Sequence, residues 1–143
     1  MTVDKVEVKI FLEKHQLIMK ILFVDDERDV EALFRQKFRK EVKSGELELE
    51  FAFSGDEALD ILSRDNPPKF VYVFSDINMP GMSGLDLLDK IKTKFPEIRV
   101  SMISAYGDSE NYNKAMESGA KGFFPKPVDF EKLRSEIREI SSR

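Results

Sequence analysis

Four apolar runs in this chain end in a side chain that can carry charge, bind a cation or share a proton. Lys20 to Val24 runs into Asp25-Asp26-Glu27, Phe70 to Ser75 ends at Asp76, Ile98 to Ile103 ends at Ser104, and Lys121 to Pro125 ends at Lys126. Two or three carboxylates brought within a few ångströms repel one another and raise each other's pKa unless a cation offsets the charge. A hard divalent ion such as magnesium prefers oxygen ligands and keeps several waters. One to three carboxylates with a backbone carbonyl suit it better than they suit zinc or copper. A lysine ammonium and a serine hydroxyl beside such an ion supply the positive charge and the hydrogen bond that a phosphoryl group needs. The chemistry open to this set is phosphoryl transfer with one aspartate as the acceptor. Asp76 is the candidate, because the chain breaks sharply after it at Met79-Pro80-Gly81-Met82-Ser83-Gly84. Taken alone, an aspartate there also reads as a turn residue.

The elements that must position these residues are legible from periodicity. Runs rich in Val, Ile, Phe and Tyr with little polar alternation read as strands buried on both faces of a parallel sheet. Leu47, Leu49 and Phe51 instead alternate with Glu48 and Glu50, which predicts a half-exposed strand near an edge. Pro125 likewise favours an edge for the fifth strand, since proline cannot donate to a second ladder. Between the strands, Val30, Leu33, Phe34, Phe38 and Val42 predict one amphipathic helix ended by Gly45. Ser54 opens a second helix with a serine-to-glutamate capping pattern, Ser83 a third, Asp108 a fourth with a thin apolar face through Tyr112, Ala115 and Met116, and Asp129 a fifth. Five strands alternating with five helices give an α/β fold with right-handed crossovers. Its strand order does not follow from one sequence. In any order, the carboxyl ends of parallel strands share one rim, so Asp25, Asp26, Asp76, Ser104 and Lys126 gather there.

The chain has 143 residues, 41% of them hydrophobic and 35% charged, which suits one globular domain with a short appendage. No apolar run approaches the roughly 20 residues that span a bilayer. The amino terminus does not resemble a secretory signal. Cysteine is absent, which removes disulfides, thiolate zinc sites and thiol catalysis and is consistent with a cytoplasmic address. A net charge of −4 argues against nucleic-acid binding by bulk electrostatics. Residues 1–19 mix strand-like and helix-like periods and read as an amino-terminal extension or linker before a domain of residues 20–143. His15, the sole histidine, lies in a charged stretch and reads as a solvated surface residue.

Together, Val24-Asp25-Asp26-Glu27, Asp76-Ile77-Asn78-Met79-Pro80-Gly81, Ser104-Ala105 and Lys126-Pro127 make the chain resemble a receiver domain of two-component response regulators over about residues 20–141. The resemblance implies a flavodoxin-like, doubly wound sheet of order 2-1-3-4-5 with the fifth strand at an edge. It implies that Asp76 is phosphorylated by a sensor histidine kinase, a histidine phosphotransfer protein or a small phosphodonor. Magnesium would be held by Asp26, by Asp25 often through water, by Asp76 and by the backbone carbonyl of Asn78. Lys126 would contact the phosphoryl oxygens, with the Lys126-Pro127 peptide cis. Ser104 would swing toward the phosphoryl group and Phe123 would follow it, repacking the surface of the fourth helix and fifth strand. Phe123 departs from the commoner tyrosine and so lacks a polar anchor in its outward position. Asn78 and Tyr106 match positions that tune self-dephosphorylation. The implied role is a non-enzymatic signalling switch controlling an output partner or domain, and a phosphorylation-dependent homodimer is one arrangement it allows. A haloacid-dehalogenase-like phosphatase would place a second acid where Asn78 stands, and an amide cannot donate that proton. A pseudo-receiver acting only as a binding module would lack some of the rim residues found here.

Overall fold

The computed structural model describes residues 18–105 and 108–141. Readings that fall on residues 1–17, His15 included, and on Tyr106 lie outside the described residues. Its elements run β1 (Met19–Val24), α1 (Asp29–Lys37), α2 (Arg39–Ser44), β2 (Leu47–Ala52), α3 (Gly55–Leu62), β3 (Phe70–Asp76), α4 (Gly84–Lys94), β4 (Arg99–Ala105), α5 (Ser109–Glu117), β5 (Gly122–Lys126) and α6 (Phe130–Ser141). All strand pairs are parallel, in the order β2-β1-β3-β4-β5. The edge positions expected of β2 and of the proline-bearing β5 are those observed.

Alternation along the strands divides the core into two layers. On one face, Leu22, Val24, Val73, Val100 and Met102 meet Ala58, Ile61 and Leu62 of α3, Leu87, Leu88 and Ile91 of α4, and Ala115 of α5. On the other, Ile21, Phe23, Phe51, Tyr72, Phe74 and Ile103 meet Phe34, Phe38, Leu133 and Ile137. Phe23 is the hub of this second layer, with ring centroids of Phe34, Phe74, Phe51 and Phe38 at 4.7, 5.3, 5.5 and 6.2 Å. The buried phenol of Tyr72 donates to Glu136 Oε1 at 3.0 Å and pairs with Ser101 Oγ, tying α6 to the sheet. Burial holds that phenol well above its ordinary pKa of 10.0, so it stays protonated as a donor.

The helix count departs from expectation. Periodicity predicts one helix from Val30 to Val42, but the backbone turns out of helical geometry at Phe38 (φ −104°, ψ 17°) and two helices result, giving six among the described residues. The residue at the bend is the fully buried Phe38, whose ring sits among Phe23, Phe130 and the Arg134 guanidinium. Leu33 and Val42, both expected on the core face, are 43% and 38% exposed. Caps follow the sequence closely. Ser83 and Asp86 form a reciprocal capping box at α4, and Asp129 accepts from Glu131 N and Lys132 N at the start of α6. Ser54 accepts from Glu57 N, but the Glu57 carboxylate reaches back to Phe53 N. No described helix is long and apolar enough to cross a membrane.

Candidate functional site

Strand register builds the site. Val24 lies beside Ser75, so the next residues, Asp25 and Asp76, leave adjacent strands at one level. Asp76 lies beside Ile103, and Ala105 beside Lys126, which brings β4 and β5 to the same rim. One carboxylate oxygen from each of Asp25, Asp26 and Asp76 lies within 4.8 Å of the other two. Lys126 Nζ bridges two of them, at 3.4 Å from Asp76 Oδ2 and 3.5 Å from Asp25 Oδ2. The Lys126-Pro127 peptide is cis, as the family resemblance implies. Asp25 is further tied by Glu27 N, which donates to its Oδ1 at 2.9 Å.

Charge in this cluster is unbalanced. Burial, with the Asp25 carboxylate adding to it, raises the Asp76 carboxyl above its ordinary 3.8 even though Lys126 pulls the other way. For Lys126, burial lowers the ammonium's pKa, but Asp76 and Asp25 outweigh it and the net shift is upward from 10.5. One ammonium therefore faces three crowded carboxylates, which is the donor set a hard divalent cation fits: oxygen only, partly buried, with Asp26 open to solvent.

A carboxyl whose folded pKa is raised binds its proton more tightly folded than unfolded, so stability falls as pH rises from 3.8 through the folded value. Ionised Asp76 thus weakens the metal-free fold at neutral pH. Asp76→Asn is expected to raise Tm by a few degrees at pH 7 in the presence of a chelator, with the gain vanishing below pH 3.8, where the parent carboxyl is protonated in both states. Scanning calorimetry of both proteins at the two pH values checks this, and a lower Tm for the variant at pH 7 contradicts it.

The other predicted residues fall into place differently. Ser104 is fully buried at the rim, but its hydroxyl donates to Asp108 Oδ2 at 3.3 Å. Asn78 is exposed two residues beyond the end of β3. Phe123 is half-buried on β5, and its ring meets that of Tyr112 edge-on at 5.4 Å. Two residues carry more than sequence reasoning gave them. Asp108 reads from sequence as a helix cap alone, and its hydrogen bond from Ser104 was not foreseen. Gly84 reads as part of a turn, yet a Cβ there would sit 2.0 Å from the carbonyl oxygen of Asp76.

Residues 21–138 match the response regulator receiver domain family. The chain is 33% identical over 120 residues to sporulation initiation phosphotransferase F of Bacillus subtilis, spanning 84% of this chain and 91% of that protein. It is 36% identical over 117 residues to response regulator protein PilR of Pseudomonas aeruginosa, where 80% of this chain spans only 24% of the longer relative. A crystal structure of a response regulator receiver domain protein from Clostridium thermocellum matches with a TM-score of 0.77 at 30% identity, over 87% of this chain and 95% of that one. Receiver domains bind magnesium at an acidic pocket, and a group of aspartates of that kind is present here. With fold, sequence and acidic rim in agreement, the chain belongs to the receiver domain family of two-component response regulators, modules of phosphorylation-dependent signalling.

Proposed function

We propose that Asp76 is the phosphoacceptor of a cytoplasmic phosphorelay, receiving its phosphoryl group from a sensor histidine kinase or a histidine phosphotransfer protein. The observation that carries this reading is the bridge from Lys126 Nζ to Asp76 and Asp25 inside a cluster of three carboxylates. A carboxylate oxygen of Asp76 attacks phosphorus, the bond from phosphorus to the donor's nitrogen or oxygen breaks, and the leaving group departs with that electron pair. The product is an acyl phosphate on Asp76. Asp25, Asp26, Asp76 and the Asn78 backbone carbonyl would hold a magnesium ion, which supplies charge neutralisation for the phosphoryl oxygens when bound. Lys126 stands ready to move its ion pair from the carboxylates to those oxygens.

The phosphoryl group carries about −1.5 to −2 charge, and because the acyl linkage consumes the carboxylate's own charge, the rim gains about one negative charge or less, on three new acceptor oxygens. Ser104 and Lys126 pair with these oxygens, and the surface of α5 and β5 repacks to control a partner or output domain. Only Ala115 of α5 is buried, so little core packing opposes movement of this helix. Phe123 has no hydroxyl to anchor it outward, and its contact with Tyr112 supplies an alternative hold. Turnover of an external substrate is not part of this reading, since Asn78 cannot serve as a general acid.

Incubation with magnesium and acetyl phosphate, followed by intact-mass and peptide mass spectrometry, tests the proposal. The expected result is one phosphoryl group, located on Asp76 and lost in Asp76→Asn. Absence of labelling, or labelling that persists in Asp76→Asn, overturns it.

A further inference from the structure

Ser104 has one hydroxyl proton, and in this structure Asp108 receives it. The Asp108 Oδ2 atom accepts from Ser104 Oγ at 3.3 Å and from Asn111 Nδ2 at 2.6 Å, while Oδ1 accepts from Asn111 N at 3.3 Å and so caps α5. The Asn111 side chain is the main cause holding the Asp108 carboxyl below its ordinary 3.8. At neutral pH Asp108 is therefore ionised and accepts only. Ser104 is fully buried.

We infer that Asp108 is a positioning residue that holds the Ser104 hydroxyl away from Asp76 and transmits its release to the first turn of α5. This rests on Asp76 being the phosphoacceptor. A single O–H cannot donate fully to two acceptors, so a phosphoryl oxygen on Asp76 and the Asp108 carboxylate compete for it. Breaking the Asp108 contact costs free energy that phosphoryl binding must offset, and by linkage phosphorylation weakens the contact to the same degree. Because Asp108 is also the α5 cap, the loss occurs at the end of a helix in which Ala115 alone is buried.

Asp108→Ser separates the two duties. A serine retains an oxygen that can accept from Asn111 N, as serine caps do, but lacks the second oxygen that takes the Ser104 proton. Beryllofluoride with magnesium, a mimic of the phosphoryl group, is titrated calorimetrically into the parent, Asp108→Ser, Ser104→Ala and the double variant, with thermal unfolding as the check on folding. The expected result is about tenfold tighter beryllofluoride binding by Asp108→Ser, no effect of the same change in the Ser104→Ala background, and a cooperative unfolding transition retained throughout. Unchanged or weaker binding by a folded Asp108→Ser overturns the inference, as does equal tightening with and without Ser104. If the parent itself does not bind beryllofluoride, or Asp76→Asn binds it as well as the parent, the phosphoacceptor reading fails and this inference falls with it.

Discussion

Gly84→Ala loses about 3 kcal/mol or more of unfolding free energy, enough to unfold the variant at urea concentrations that leave the parent native. An alanine at an ordinary helical position stabilises by about 0.5–1 kcal/mol relative to glycine. The sign reverses at Gly84 because its Cβ would lie 2.0 Å from the Asp76 carbonyl oxygen, 2.8 Å from the Asp76 carbonyl carbon and 2.8 Å from Ile77 Cα. All three are backbone atoms, so no side-chain rotation relieves the clash. Gly84 N also donates to Ile77 O at 2.8 Å, which docks the first turn of α4 against the peptide that follows Asp76. Moving the two apart breaks that bond and disturbs Leu87, Leu88 and Ile91, which are fully buried one to two turns further on. Urea unfolding at 25 °C measures the effect. A loss within 1 kcal/mol of the parent would mean that the approach of α4 to β3 is not set by this glycine.

How much of the site was legible beforehand follows from what each residue needed. A strand buried on both faces leaves a plain apolar run, and parallel pairing places every carboxyl end on one rim, so Asp25, Asp26, Asp76 and Lys126 could be gathered without knowing the strand order. Their mutual distances could not. Asp25 and Asp76 stand level only because β1 neighbours β3, an adjacency that came from family resemblance and not from periodicity. The break at Phe38 was hidden because the helical spacing of Phe34, Phe38 and Val42 continues straight through it, while the ring at the break makes its contacts with Phe23 and Phe130, residues distant in sequence.

Side-chain direction was the least visible property. Ser104 is where the sequence put it, at the end of β4, but a hydroxyl turned toward Asp108 and one turned toward Asp76 have the same sequence. The family resemblance supplied the second orientation and the structure supplies the first. A switch needs both, and the two together define what phosphorylation has to change. Gly84 illustrates a related blindness: a glycine required by a close backbone approach and a glycine required by a turn look alike until the chains are packed.

Lys126→Ala is expected to remove the response to the phosphoryl group while leaving the fold in place. Lys126 Nζ lies within ion-pair reach of both Asp76 and Asp25, and its side chain is 36% exposed, so truncation leaves no buried cavity of note. A charge-assisted hydrogen bond to a phosphoryl oxygen contributes about 1.5–3 kcal/mol, which sets the expected weakening of beryllofluoride binding at about 10- to 100-fold. Stability in chelator should fall modestly at neutral pH. The sign follows from the two shifts: without Lys126 the carboxyl of Asp76 rises further above 3.8, so its ionised form weakens the fold more. The ammonium's own contribution, present below 10.5 and lost as pH rises through its raised folded pKa, disappears as well. Magnesium binding should move the opposite way and tighten, because the ion no longer competes with a resident cation for Asp25 and Asp76. Calorimetric titration of magnesium and of beryllofluoride, with urea unfolding as the control, reads all three quantities. Tighter magnesium, weaker beryllofluoride and a native fold together identify Lys126 as a phosphoryl ligand. Beryllofluoride affinity equal to the parent's would remove Lys126 from the site's function, and global unfolding would make its ion pairs a structural brace between β5 and the ends of β1 and β3.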